Sequence, residues 1–222
     1  MTMKLYGVMR SPFVQSVVFT CYETDTEFEL IPTENVVVRT PEFKAKLNPF
    51  GTMPALEDGD FTLFESRAIS RYIASKADAQ RAGNSLLGST IEEQALVNVW
   101  IDVEAQTFFP PMKDAAIEWT YKLVPDAALV KSSLEKLGKI LDIYEDQLTK
   151  HKYIAGDFFS LADIFNATLV YFYMRFSNPE QQGEFTNRPH VHAWLQSIYA
   201  RPAWQKIIAI PETTDWSFLK KT

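Results

Sequence analysis

Ser11 is followed by Pro12 and by an apolar pattern of helical spacing through Val14, Val17, Val18 and Cys21. A hydroxyl at the start of that helix can donate a hydrogen bond to an anion, and the helix dipole acts in the same direction. Such chemistry stabilises a charge and does not attack, so it needs no general base. Ser before Pro is equally what an ordinary helix start prefers, so capping competes for the same hydroxyl. A second anion site is written at Glu65-Ser66, just before Ile69, Tyr72 and Ile73. Ser66 reads as the N-cap of a helix whose first turn accepts a carboxylate, beside a Glu65 carboxylate suited to an ammonium. Met53-Pro54 follows a Gly-containing loop, a setting for a cis bond. That bond would turn the Met53 amide and carbonyl outward, where an extended ligand pairs as an added strand. These parts together fit one end of a small peptide-like ligand.

The elements that must position them alternate at first. Lys4 to Tyr6 reads as a strand, Ser11-Pro12 opens a helix, and Phe28 to Pro32 is a second strand. Thr33 to Leu47 is polar and irregular, with at most a short helix. Pro54 then leads a hairpin turning at Asp58-Gly59, and Ser66 opens the closing helix. Ala77 to Ser89 is a linker of small and polar residues. Beyond it the patterns are helical: Ile91 to Phe109, with a bend or break expected at Pro110-Pro111, then Ala127 to Lys150. Ser160-Leu161-Ala162-Asp163 is a capping box opening a helix through Met174. Val191 to Ala200 is a further helix, and Arg201-Pro202 punctuates it before a shorter segment. The expected organisation is an α/β domain followed by an all-α domain.

Composition narrows the function classes. The chain has 222 residues, 46% of them hydrophobic, long enough for two cores. With 22 basic against 28 acidic residues the net charge is −6, which argues against nucleic acid or an anionic membrane as partner. The single Cys21 excludes an internal disulfide and fits a reducing, cytoplasmic compartment. No apolar stretch approaches the ~20 residues of a membrane span, and no signal peptide is read at the N-terminus. His190 and His192 alternate without a third ligand nearby, so no metal site is expected. No phosphate-binding glycine loop and no Ser-His-Asp arrangement is present.

The wording Asn48-Pro-Phe-Gly, Pro54-Ala-Leu-Glu-Asp-Gly-Asp and Leu63-Phe-Glu-Ser-Arg-Ala-Ile69 resembles the soluble glutathione S-transferases, most of all their phi class. The resemblance runs through most of the chain. It implies a glutathione transferase fold, with a thioredoxin-like glutathione-binding domain over 1–79 and an all-helical domain over 90–222. It implies that Ser11 stabilises the glutathione thiolate for conjugation to hydrophobic electrophiles, and that the same site reduces organic hydroperoxides. Glutathione is then a co-substrate and no cofactor is called for. Tyr6 competes for the thiol, since other classes use a tyrosine from about that place. Glu65, Ser66 and Arg67 would hold the γ-glutamyl end, Met53 and Pro54 the cysteinyl part.

The glycyl end departs from the family pattern. Val38-Arg39-Thr40-Pro41 stands where a His-Lys pair is usual, so Arg39 takes over the lysine's role with a forked contact. Thr52 stands where a glutamine is usual, and Pro41 to Asn48 is one residue longer than expected. The electrophile pocket is assigned to Pro12, Val36, Phe108, Phe109, Met112 and Phe172, with Ala116 on the same stripe. The resemblance also implies a homodimer. A ligandin-like carrier of hydrophobic small molecules is the main alternative, and a transferase-like module of a translation or scaffolding complex gains little.

Overall fold

The computed structural model describes residues 2–80, 85–116 and 126–211. The chain divides into two compact units. The first runs to Leu87 and takes in the segment from Pro202 onward, and the second is Gly88–Arg201.

The first unit is built on a four-stranded sheet of order β2-β1-β3-β4. β1 (Met3–Gly7) pairs in parallel with β2 (Phe28–Pro32) and antiparallel with β3 (Ala55–Asp58), which pairs with β4 (Phe61–Phe64). This is the thioredoxin-like order, β-α-β then β-β-α. Residues along β1 alternate between the two faces, as the pleat requires. On one face Leu5 packs with Val14, Val17 and Val18 of α1 (Pro12–Glu23) and with Ile69 and Ile73 of α4 (Ser66–Gln80), all wholly buried. Each such side chain contributes about 1.5–3 kcal/mol on burial, which fixes two helices that no ladder bond ties to the sheet. On the other face Tyr6 and Met53 pack against Val38, Phe43, Leu47 and Ala55. That second cluster seats α2 (Asn35–Val38) and α3 (Pro41–Lys46), two short helices where at most one was expected.

The hairpin turns one residue later than its Asp-Gly signal suggests. Asp58 pairs with Phe61, leaving Gly59 and Asp60 as the turn, with Gly59 at φ +63°. The Asp58 carboxylate accepts from Tyr72 (2.7 Å) and from Lys76, tying the hairpin to α4. The expected linker begins late, because α4 runs through Gln80.

In the second unit, α5 (Ile91–Val103) does not break at the paired prolines. It widens into a π-helical turn, Glu104–Phe108, and continues as α6 (Phe109–Ala115) with the prolines in its first turn. Prolines lack the N–H that a first turn leaves unpaired, and the wider turn separates their rings from the carbonyls one turn back. α7 (Ala127–Lys150) buries Ser133, Leu137, Leu141, Tyr144 and Leu148, a single face at helical period. α8 (Leu161–Phe176) is buried on almost every side from Leu161 to Val170 and is the central helix. The capping box is present, and the buried Asp163 carboxylate accepts from Ser160 N (2.8 Å), Ile154 N (3.0 Å) and Trp194 Nε1 (2.9 Å). α9 (Pro179–Thr186) was not expected, and α10 (Pro189–Tyr199) starts two residues early. The final described helix, α11 (Pro202–Ile208), belongs with the first unit and not with the helical domain of the 90–222 expectation. Trp204 packs on Phe19 of α1, ring centroids 5.4 Å apart.

Candidate active site

Ser11 is the N-cap residue of α1, in extended conformation, and its side chain makes no capping hydrogen bond. The reading in which this hydroxyl merely caps the helix therefore fails. The hydroxyl is half-buried and remains beside first-turn amides that have no partner inside the helix. The turn that delivers it is closed by Ser11 N donating to Val8 O at 3.0 Å.

Tyr6 is committed elsewhere. Its ring lies on the α2–α3 face of the sheet and its hydroxyl donates to Glu57, which also holds Lys46 at 3.1 Å. Burial, reinforced by the Glu57 carboxylate, pushes the phenol up to about 12.

The Met53–Pro54 bond is cis, as expected. Asn48, wholly buried, braces the loop before it. Its Nδ2 donates to the carbonyl (2.9 Å) and hydroxyl (3.0 Å) of Thr52, and its Oδ1 accepts from Phe50 N at 3.0 Å. The Thr52 hydroxyl oxygen thus accepts within the loop. Sequence reasoning misses the bracing role of Asn48, although the Asn-Pro-Phe-Gly wording is its signal. Among the described residues neither the amide nor the carbonyl of Met53 has a hydrogen-bond partner.

Gly7 joins these parts. A Cβ built there would lie 2.5 Å from Val14 Cγ2 and 3.6 Å from Met53 Cβ, so the end of β1 passes hard against α1 and within ordinary contact distance of the Met53 loop. Only glycine permits that approach, and its φ of +157° is rarely adopted by a side-chain-bearing residue.

The N-cap lies one residue earlier than expected. The Glu65 carbonyl accepts Ile69 N at 2.9 Å, so Glu65 is the N-cap and Ser66, buried, is the first helical residue. Glu65 is exposed and has φ +72°, a left-handed conformation costing a non-glycine residue about 1–2 kcal/mol. Strain held by a charged residue at a helix start points to a functional site. Arg67 is half-exposed on the same turn.

At the third region Val38 is buried in the second core, which explains its type, and Arg39 is exposed beside it at the end of α2. Val36 is 76% exposed, whereas Pro12 is buried. In the helical unit Phe108 and Met112 are core residues. The Phe108 ring stacks on Tyr144 with centroids 5.3 Å apart, while Phe109 and Phe172 are half-exposed. Ala116 is buried too. His190 is not paired with His192 around a metal. Its Nδ1 lies 2.7 Å from Glu145 of α7, which also accepts the His190 and Val191 amides. No cluster of three potential metal ligands occurs among the described residues. Cys21 is buried inside α1, and burial pushes its thiol up to about 12, so it is not a nucleophile.

Comparison with known proteins agrees with this geometry. Residues 1–75 match the family model of the glutathione S-transferase N-terminal domain, and residues 100–202 that of the C-terminal domain. A glutathione S-transferase of Hyoscyamus muticus is 43% identical over 217 residues, covering 94% of this chain and 98% of that protein. Among solved structures, glutathione transferase F7 of Populus trichocarpa superposes with a TM-score of 0.85 at 38% identity, covering 94% of this chain and 98% of its own. Maize glutathione S-transferase I, in complex with an atrazine glutathione conjugate, superposes with a TM-score of 0.83 at 35% identity, covering 97% and 100%. With both of its units matched, the chain belongs to the glutathione S-transferase family.

Proposed function

We propose that this glutathione S-transferase activates glutathione through Ser11 and transfers the thiolate to hydrophobic electrophiles. The uncapped Ser11 hydroxyl at the start of α1 carries the reading. A free thiol of pKa ~8.5 is about 3% thiolate at pH 7. Lowering it by two units needs about 2.7 kcal/mol of preference for the anion. A hydrogen bond to a charged group contributes about 1.5–3 kcal/mol, and the helix terminus about 0.3–1 kcal/mol more. The two together suffice without a base or a metal, and proximity supplies the rest.

The γ-glutamyl carboxylate is assigned to Ser66 and the first-turn amides of α4, its ammonium to Glu65, with Arg67 alongside. The cysteinyl backbone is assigned to Met53, in the loop that Thr52 and Pro54 flank, and the glycyl carboxylate to Arg39. Of the residues assigned to the electrophile, Val36 keeps accessible apolar surface in the first unit, and Phe109 and Phe172 keep it in the second. The thiolate also reduces organic hydroperoxides: it takes the terminal oxygen as a sulfenic acid, the alcohol leaves, and a second glutathione forms the disulfide and water. Homodimerisation is part of the proposal. It is supported by Ile91, Leu96 and Val99 along α5, and by Phe50 at 71% exposure. A free Cys21 supports a cytoplasmic setting.

The test is conjugation to a chromogenic aryl halide by wild type, Ser11→Ala and Tyr6→Phe. A loss of tenfold or more in kcat for Ser11→Ala alone is expected. Equal rates in all three refute the serine mechanism, and an inactive wild type that binds hydrophobic dyes turns the reading to a carrier.

A further inference from the structure

Gln15 is 1% exposed in α1, one turn after Ser11, and has no place in the assignments above. Its Nε2 donates to Met9 O at 2.7 Å, a buried bond. Its Oε1 is buried as well, with no partner. A carbonyl only accepts, so the amide nitrogen must face Met9 and the oxygen must go unpaired. An apolar residue of similar volume would avoid that orphan oxygen. The Met9 bond is what a glutamine adds here.

That bond reaches the catalytic turn. Ser11 N donates to Val8 O, which makes Val8-Met9-Arg10-Ser11 a β-turn with Met9 and Arg10 at its centre. Gln15 N also donates to Ser11 O at 2.9 Å, so the residue holds this turn from both side chain and backbone. The two common β-turn types differ by a flip of the central peptide, the one that carries the Met9 carbonyl. The flipped form requires positive φ at Arg10, whereas among the described residues only Asp25 and Glu65 show positive φ outside glycine. With the carbonyl pinned, the turn has one state, and the direction in which Ser11 enters α1 is set.

We infer that Gln15 is a positioning residue for the thiol site, locking the Met9–Arg10 peptide so that the Ser11 hydroxyl stays off the helix and on the sulfur. This rests on the Ser11 reading proposed above. The loss of Gln15 therefore acts on the thiol and not on the contacts that bind the rest of glutathione.

The experiment measures the apparent pKa of the bound glutathione thiol, from the pH dependence of kcat/KM for the electrophile at saturating glutathione, with KM for glutathione alongside. Gln15→Met keeps the volume and removes the donor. It is expected to raise the thiol pKa by about one unit and to cut kcat about tenfold near neutral pH, with KM within twofold. Ser11→Ala is run in parallel. If it leaves the pKa at the wild-type value, the serine reading fails. If it shifts the pKa and a folded Gln15→Met does not, this inference alone fails. A Gln15→Met effect confined to KM also overturns it. Arg10→Gly and Arg10→Ala reach the turn from its outer side and do not depend on Gln15→Met folding. Both break the Arg10–Glu34 pair, and only glycine admits the flip. With Gln15 in place the two should agree in pKa and kcat. A difference beyond threefold means that Gln15 does not hold the turn.

Discussion

Substituting Gly7 by alanine asks whether a single close approach sets the site. The added Cβ would lie 2.5 Å from Val14 Cγ2, where carbon atoms normally meet at about 3.5–4.0 Å. Val14 is wholly buried, and a valine in a helix has essentially one rotamer, so its methyl has no room to swing away. Relief must come from separating β1 and α1 by about 1 Å. Such overpacking costs about 1–3 kcal/mol, and the backbone at φ +157° adds about 1–3 kcal/mol for a residue with a side chain. A total of about 2–6 kcal/mol corresponds to a fall in Tm of about 4–24 °C for a chain of this size. The displaced helix carries Ser11 at its N-cap and Met53 is also in contact range of the added Cβ, so misplacement should cost up to about 100-fold in kcat/KM. Thermal unfolding by circular dichroism and aryl halide conjugation measure the two effects. Val14→Ala tests the cause, because it removes the methyl that is struck. The double variant should be more stable than the sum of the single losses by about 1–3 kcal/mol. Strict additivity, or a Gly7→Ala protein that melts with wild type, would refute the claim that this contact positions the site.

Two further predictions concern the helix starts. Glu65→Gly removes a left-handed penalty of about 1–2 kcal/mol against an unfolded-state entropy cost of about 0.5–1 kcal/mol. Its Tm should equal or slightly exceed wild type while KM for glutathione rises tenfold or more, and a clear fall in Tm contradicts the strain. Glu145 reaches from α7 to the start of α10. Burial raises its carboxyl, but the Val191 and His190 amides and the His190 ring outweigh that and leave it below its usual 4.5. A depressed carboxyl adds stability that is present above the unfolded value and lost as pH falls from about 4.5 toward the folded one. Glu145→Gln should therefore flatten the acid limb of a urea-midpoint profile below pH 4.5, and an unchanged slope there rules the contribution out.

Much of the fold was legible because its signals are local. The period-2 strands, the proline-led hairpin, the Ser160-Asp163 box and the one-sided α7 all arise from neighbours within a few residues. α9 carries a local signal too: Asn178-Pro179-Glu180-Gln181 is a capping box with proline at the first helical position, and both reciprocal bonds form at 2.9 Å. The fate of α11 was not local. Pro202 ends one helix in any reading, but contacts such as Trp204 on Phe19 and Lys206 over Tyr22 assign the next helix to the first unit, and nothing near Trp204 in the chain announces those partners. The paired prolines misled for a similar reason. Proline rules forbid an unmodified α-helix, and the chain answers with a π turn whose cost the packing of Phe108 on Tyr144 offsets.

The candidate site divides along the same line. Residues read as touching glutathione have types that announce their chemistry: a hydroxyl before Pro12, a carboxylate at a helix start, a guanidinium at Arg39. The residues that aim them do not. Gly7 is a glycine because Val14 leaves no room for a Cβ. Asn48 is an asparagine because a carbonyl and a hydroxyl at Thr52 need one shared donor while Phe50 N needs an acceptor. Gln15 is a glutamine because one carbonyl in a turn six residues back must not rotate. Each requirement is set by atoms brought together only after folding, so no spacing rule contains it. The same division explains Val38. A side chain at that position is instead consumed by the Phe43 and Leu47 core, and the exposed Arg39 at the end of α2 is the residue proposed for the carboxylate. Side chains facing the ligand can therefore be exchanged at modest cost in stability, as Glu65→Gly should show, whereas the aiming residues cannot be changed without moving the backbone that presents them.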